Sequence, residues 1–382
     1  MSIGNSNCYD EEELYNLNTK EFVCSNHINE NFIKAHIKKN GSRGRCNYCK
    51  KIINVVELSK VLELIIVGIN YLFEDPINSR YYNKEGEHGF DGDTFEFDEM
   101  WSRLGLNIDN DKLHEDIYNH LYNISVYCEK DEFGSEEDFL NDVWYNFKNV
   151  VKHKARFVFY FKKTFANYSF VDPVFILEHV QKSIIKLKLI VDLKENTKLY
   201  RCRQHSQIDD IKIAENIAAP PYEYSKANGR MNPAGISMFY CCEFKALSIK
   251  EVVDVYNKKK RYYSTAIFRN KKNLRLVNLS KLPKIDSIYD EEKNVNIDTI
   301  LFLEGFIKDI SKSIDDEDSI IEYIPTQIVT EYLKFNPKLN IDGIIYPSSK
   351  CQNNNIVLFF DHEKSLKELD FEITSIETKK IF

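Results

Sequence analysis

Two short spacings near the start constrain this chain most: Cys24-Ser-Asn-His27 and Cys46-Asn-Tyr-Cys49, separated by 18 residues that include the turn NGSRG. A two-residue spacer lets one tight turn aim both ligand atoms at a single ion, and two such turns complete a tetrahedron. Three thiolates and one imidazole fill every position, so the expected ion is a structural zinc, with His36 as the substitute ligand should His27 be misplaced. The chain has nine cysteines, an odd number, and the start MSIGNSNCYDEEEL lacks the basic and apolar blocks of a secretory signal. Reduced thiols and metal ligands are therefore expected, in a cytoplasmic setting. Cys8, Cys128, Cys202, Cys241, Cys242 and Cys351 read as small buried apolar residues.

A length of 382 residues with 43% hydrophobic side chains suits more than one packed domain. The formal charge of −7 and pI near 5.8 argue against a general grip on nucleic acid or anionic membrane. The longest apolar run, LELIIVGINYLF at 62–73, is too short to cross a bilayer and carries a helical stripe instead.

From Val55 to Phe73 the residues Leu58, Leu62, Ile65, Ile69 and Leu72 recur at helical spacing. The glycine- and acid-rich stretch 83–99 reads as a loop. Helical patterns resume over 110–128 (Leu113, Ile117, Leu121, Ile124), 135–165 and 173–191. Beyond KENTKLYR the pattern turns to short β-branched and aromatic runs (KLYRCR, ISMFYCC, RYYSTAIF, LRLVNL, DGIIYP, NNIVLFF, FEITSI), with helical segments near 246–258, 296–312 and 325–335. The expected fold class is α+β: a zinc-knuckle segment over 1–50, a helical domain over 51–194, and a mixed β domain with helices over 195–382.

In that last domain four segments stand out: Leu199-Tyr-Arg201, Gly229-Arg-Met-Asn-Pro-Ala-Gly235, Tyr240 followed eleven residues later by Glu251, and Tyr346-Pro-Ser348 with Asn355 opening an apolar strand. In this order they resemble the RES domain, named for its Arg, Glu and Ser. The front half is similar to the HEPN-like region found joined to RES domains; there the knuckle is commonly all cysteine, so His27 is a departure that keeps a competent ligand. The Arg-to-His spacings here, Arg80 to His88 and Arg103 to His114, are too long for a HEPN ribonuclease centre.

The resemblance implies a toxin-type enzyme with an ADP-ribosyltransferase-like fold that attacks NAD+. On that basis Arg201 and Arg230 are expected to clamp phosphates and ribose, Tyr240 to stack on nicotinamide, and Glu251 to steady the cation forming on the sugar. Ser348 is expected to act with Arg201 and Glu251 in the catalytic set by binding ligand hydroxyls or amide, and Asn355 to bind NAD+ and hold the loop that carries Ser348; no His–acid pair accompanies Ser348, so it is not read as a nucleophile. No Gly-rich dinucleotide fingerprint occurs, so NAD+ would be consumed rather than used for hydride transfer. One alternative is transfer of ADP-ribose to a protein or nucleic acid; another is a non-catalytic zinc-knuckle and helical binding protein. An enzyme that depletes NAD+ calls for an antitoxin or other restraint; the order of the domains makes the helical half a candidate for homodimerisation, and the short apolar runs imply no membrane.

Overall fold

The computed structural model describes residues 17–85, 87–122, 126–130, 136–160, 174–284, 287–291, 297–312 and 319–381; Cys8 and Ile124 lie outside them. The chain forms two compact units, residues 1–135 with 284–297, and residues 136–283 with 298–382.

In the first unit, strands β1 (Phe22–Cys24), β2 (Ser42–Arg45) and β3 (Ile52–Glu57) form an antiparallel sheet in the order β1-β3-β2, with helix α1 (Asn31–Asn40) between β1 and β2. Residues 55–57, expected to open a helix, belong to β3 instead: the β-branched Val55 pairs with Cys24 on one side and Ser42 on the other. Helix α2 (Leu58–Leu72) buries Leu58, Leu62, Ile65 and Ile69. Around it pack α3 (Phe97–Leu104) and α4 (Asp111–Leu121), with a short strand pair β4 (Phe73–Glu74) and β5 (Cys128–Glu129). The stretch 83–99 is thus loop only as far as Phe97, where Phe97, Met100 and Leu104 turn one α3 stripe inward. Residues 284–297 return to this unit: the Tyr289 ring lies so close over α2 that a Cβ on Gly68 would sit 2.5 Å from it.

The second unit opens with α5 (Glu136–His153) and α6 (Val174–Lys186). Strands β6 (Ile190–Leu193), β7 (Lys198–His205), β8 (Phe239–Cys242), β9 (Tyr262–Asn270), β10 (Leu274–Asn278), β11 (Gly343–Pro347), β12 (Asn354–Leu358) and β13 (Leu369–Lys380) build an eight-stranded sheet ordered β13-β9-β7-β8-β12-β11-β10-β6. Every neighbour is antiparallel except β10 and β11, whose parallel pairing requires a long crossover. That crossover includes α9 (Ile297–Ser311), α10 (Ser319–Glu322) and α11 (Ile324–Phe335), while α7 (Ala214–Ile217), α8 (Lys245–Val252) and α12 (His362–Glu368) are shorter insertions.

Strand alternation divides the core. Ile344, Tyr346, Val357 and Tyr240 pack with α5, α6, α9 and α11; Phe239, Cys241, Ile345, Ile356 and Leu358 face a second cluster with Leu199, Ile217 and Phe268. Helices α5 and α6, assigned from sequence to the helical half, therefore pack in the sheet-bearing unit. The helical pattern over 173–191 ends at Lys186; its last residues, Ile190 and Val191, instead lie with 192–193 antiparallel on β10, and of ISMFYCC only 239–242 is strand.

Candidate active site and Cys/His cluster

Strands β7 and β9 run in register from Lys198↔Arg269 to His205↔Tyr262, whereas β7 and β8 meet at Tyr200↔Cys242 alone among the described residues. Where β7 and β8 part lies a cleft of about 340 Å³, walled by both strands, by α8, and by Arg230, Tyr323, Tyr346 and Asn355. Arg201, Arg230, Tyr240, Glu251 and Asn355, far apart in sequence, all line it.

Glu251 is half-buried on α8, and its Oε1 accepts from Ser348 Oγ at 2.5 Å and from Asn355 Nδ2 at 2.9 Å. Both bonds fall on one oxygen and fix the carboxylate. Ser348 in turn accepts from the Lys350 amide at 3.0 Å, and the Ser348 amide donates to Asn353 O at 2.9 Å. Asn355 was expected to hold that loop; its side chain goes instead to Glu251 and to Cys242, whose Sγ donates to Asn355 Oδ1 at 3.2 Å. The thiol thereby sets which end of the amide faces Glu251. Burial pushes the Cys242 thiol up to about 12, so it stays a donor across the neutral range.

The two arginines differ. Arg201 donates Nε to Ile217 O at 2.5 Å, Nη1 to Tyr240 O at 2.6 Å and Nη2 to Ala218 O at 3.2 Å, and its guanidinium stacks over Phe239. Burial draws its pKa down to about 10, which still leaves it charged at neutral pH. Its neighbour Arg203 donates to Asn216 O, so both side chains brace the backbone behind the cleft. Arg230 lies 5.9 Å from the ring centre of Tyr323 and 5.8 Å from that of Tyr346, and its buried Nε has no hydrogen-bond partner.

The turn carrying Arg230 is built from within. Tyr240 Oη donates to Asn232 Oδ1 at 2.6 Å and accepts from the Met231 amide at 3.0 Å; Asn232 Nδ2 donates to Ile236 O. Gln327 of α11 donates to Gly229 O and Asn232 O. A Cβ on Gly229 would sit 2.3 Å from Asn232 Oδ1 and 2.8 Å from Tyr240 Oη, so only glycine allows this approach; Gly235, at φ +88°, needs glycine for its backbone. Burial raises the Tyr240 and Tyr346 hydroxyls above their usual range, keeping both neutral. Sequence reasoning missed Tyr323, Tyr346 as an arginine partner, Gln327 and Cys242, because each acts through a neighbour distant in sequence.

In the first unit, Cys24 ends β1, His27 closes a 3-10 turn, and Cys46 and Cys49 lie between β2 and β3. Their ligand atoms all fall within 4.8 Å of one another, with Cys24 Sγ and Cys49 Sγ 3.7 Å apart. Zinc–sulfur bonds of about 2.3 Å subtend a tetrahedral edge of about 3.8 Å, so this donor set fits a tetrahedral ion. The buried His27 Nε2 has no hydrogen-bond partner, and burial lowers the imidazole's pKa, keeping it neutral as a ligand must be. Burial raises the Cys24 thiol to about 12; Cys46 is pushed up by burial too, but bonds from the backbone of Cys49, Tyr48 and Cys24 hold it below its ordinary value. The four residues could hold a metal ion. His36 is not among them.

Residues 39–165 match HEPN/RES N-terminal domain 1, and residues 198–374 match the RES domain. The C-terminal half of this chain is thus similar to the RES domain. Every one of Arg201, Arg230, Tyr240, Glu251, Ser348 and Asn355 lies inside the RES match. Among solved structures the chain is similar to that of the M. tuberculosis MbcT-MbcA toxin-antitoxin complex, at 10% identity over 53% of this chain and 90% of that one, with a TM-score of 0.30, a likeness too slight to bear on fold or activity. No curated protein matches the chain.

Proposed function

We propose that the RES domain cleaves the bond between nicotinamide and ribose in NAD+. The observation that carries this reading is Glu251, held by Ser348 from behind the lining and by Asn355 within it, sharing one cleft with an arginine whose Nε is unpartnered. As the C1′–N bond breaks, its electron pair leaves with nicotinamide and positive charge grows on the sugar. A carboxylate fixed beside that carbon stabilises the charge more in the transition state than in bound substrate. Ser348 and Asn355 orient Glu251 through Oε1, leaving Oε2 for the ribose. Arg230, bracketed by two phenol rings, suits the pyrophosphate, and the Tyr240 ring offers a face to the cationic nicotinamide. Arg201 acts mainly by bracing the cleft.

The decisive measurement is chromatographic: nicotinamide release from NAD+ by the wild type beside Glu251→Gln. Undiminished release by Glu251→Gln, or no release by the wild type, sinks the reading, and intact NAD+ with both proteins favours a non-catalytic binding role. Labelled NAD+ in lysate then separates free products from label fixed on macromolecules, distinguishing hydrolysis or phosphorolysis from transfer. An enzyme that drains NAD+ from the cytoplasm endangers its own cell, so an antitoxin is the expected restraint. At the Cys/His cluster we propose zinc, held by Cys24, His27, Cys46 and Cys49 in a structural role, since four protein donors leave no site for substrate.

A further inference from the structure

Helix α5 falls within the N-terminal family match, residues 39–165, yet packs inside the unit that contains the cleft. Its residues Trp144, Lys148 and Lys152 follow one another at four-residue steps along one face. Trp144 Nε1 and Lys148 Nζ both donate to Asp309 Oδ2 on α9, at 2.9 and 2.5 Å. Lys152 Nζ meets Glu322 Oε2, at the end of α10, at 2.7 Å, and the Lys152 side chain is only 13% exposed.

Helix α10 has four residues, and its Ile320 and Ile321 are 59% and 42% exposed. A helix that short is not held by its own hydrogen bonds, and little burial fixes this one. Its anchor along the chain is α11, whose buried Ile324 lies two residues after Glu322; Lys152 adds a tether on the other side. The residue after Glu322 is Tyr323, whose ring covers Arg230; four residues on, Gln327 grips the turn that carries Arg230. Segment 322–327 therefore contacts both the guanidinium and its backbone support.

We propose that Lys152 is a positioning residue of the cleft: by holding Glu322 it seats Tyr323, and through it Arg230, so that a helix of the N-terminal family region shapes substrate binding in the RES domain. The proposal rests on the reading of the cleft as an NAD+ site. Glu251, Ser348 and Asn355 stand on other elements, so the latch governs binding rather than the bond-breaking step.

The test uses full-length protein carrying Lys152→Glu, Glu322→Lys, or both. Each single reversal sets like charges side by side and is expected to raise KM for NAD+ about tenfold with kcat nearly unchanged, a repulsion of roughly 1.4 kcal/mol. The double reversal restores the attraction and most of the affinity, and Lys152→Arg behaves as wild type. Lys152→Met, which keeps the buried stem, guards against misfolding of the reversals and should raise KM about threefold, within the range of a partly exposed ion pair. Wild-type KM in the stably folded single variants, or a double variant no better than either single one, overturns the proposal. Hydrogen exchange over residues 319–330 gives a substrate-free readout: faster in Lys152→Glu, restored in the double variant. A wild type that releases no nicotinamide would end the NAD+ reading, while unchanged exchange in Lys152→Glu would end the latch.

Discussion

The Cys/His cluster and the cleft each gather a handful of polar side chains, but by opposite routes. The cluster draws all four donors from the short run between Cys24 and Cys49, where two turns at the ends of a small sheet suffice. The cleft draws on β7, β8, β11, β12, α8 and two loops, and exists only because the strand order places β8 between β7 and β12 and then lets β7 and β8 separate. A local site is specified by spacing; a long-range one is specified by topology.

That contrast breaks most visibly on metal removal. Chelation, or Cys46→Ser, is expected to strip about one ion per chain and unfold much of the first unit, since structural zinc contributes on the order of 10 kcal/mol in small domains. Metal analysis with peptide-resolved hydrogen exchange checks this; comparable loss of protection in both units would show that the two regions are not separately held. Next in size, Glu251→Gln should lower kcat about 10²–10³-fold with an unchanged melting temperature. A fall in melting temperature would assign Glu251 to packing.

The two arginines sharpen the comparison inside the cleft itself. Arg201→Ala leaves three carbonyls, of Ile217, Ala218 and Tyr240, without their donor, at roughly 1–3 kcal/mol for each that water cannot reach. A clear drop in melting temperature is expected. Arg230→Ala should leave that temperature alone and raise KM for NAD+ more than tenfold, the equivalent of about 1.4 kcal/mol or more; calorimetry and steady-state kinetics on the pair decide.

The smallest effect lies in the acid limb. Burial pulls Asp309 upward, but hydrogen bonds from Lys148 and Trp144 outweigh it and hold the carboxyl below its ordinary value. A lowered native pKa stabilises the fold fully at neutral pH and loses that contribution as pH falls below about 4, through the native value. Melting curves from neutral to acid pH should therefore decline less steeply for Asp309→Asn over that window than for wild type.

How far the sequence spoke follows the same division. Cys24, His27, Cys46 and Cys49 could be read directly, because an x₂ spacing is itself a geometry. In the RES half the residues could be named but their partners could not. Nothing in the spacing tells that Arg201 turns to carbonyls while Arg230 lies between Tyr323 and Tyr346, because both outcomes depend on which strand faces they occupy. Val55 was misread for a related reason: its apolar period suits the following helix, but pairing with Cys24 and Ser42 outweighed it. Helix α5 kept its helical pattern yet changed allegiance, since periodicity shows that a face is apolar and not what will cover it.

The return of residues 284–297 to the first unit has a practical consequence. Neither half can be excised by a single cut: a fragment starting near residue 195 would carry Tyr289 away from Gly68, and a fragment ending there would leave that face of α2 uncovered. Clones trimmed to the family match should come out sticky and poorly expressed, and the whole polypeptide is the smallest piece worth purifying.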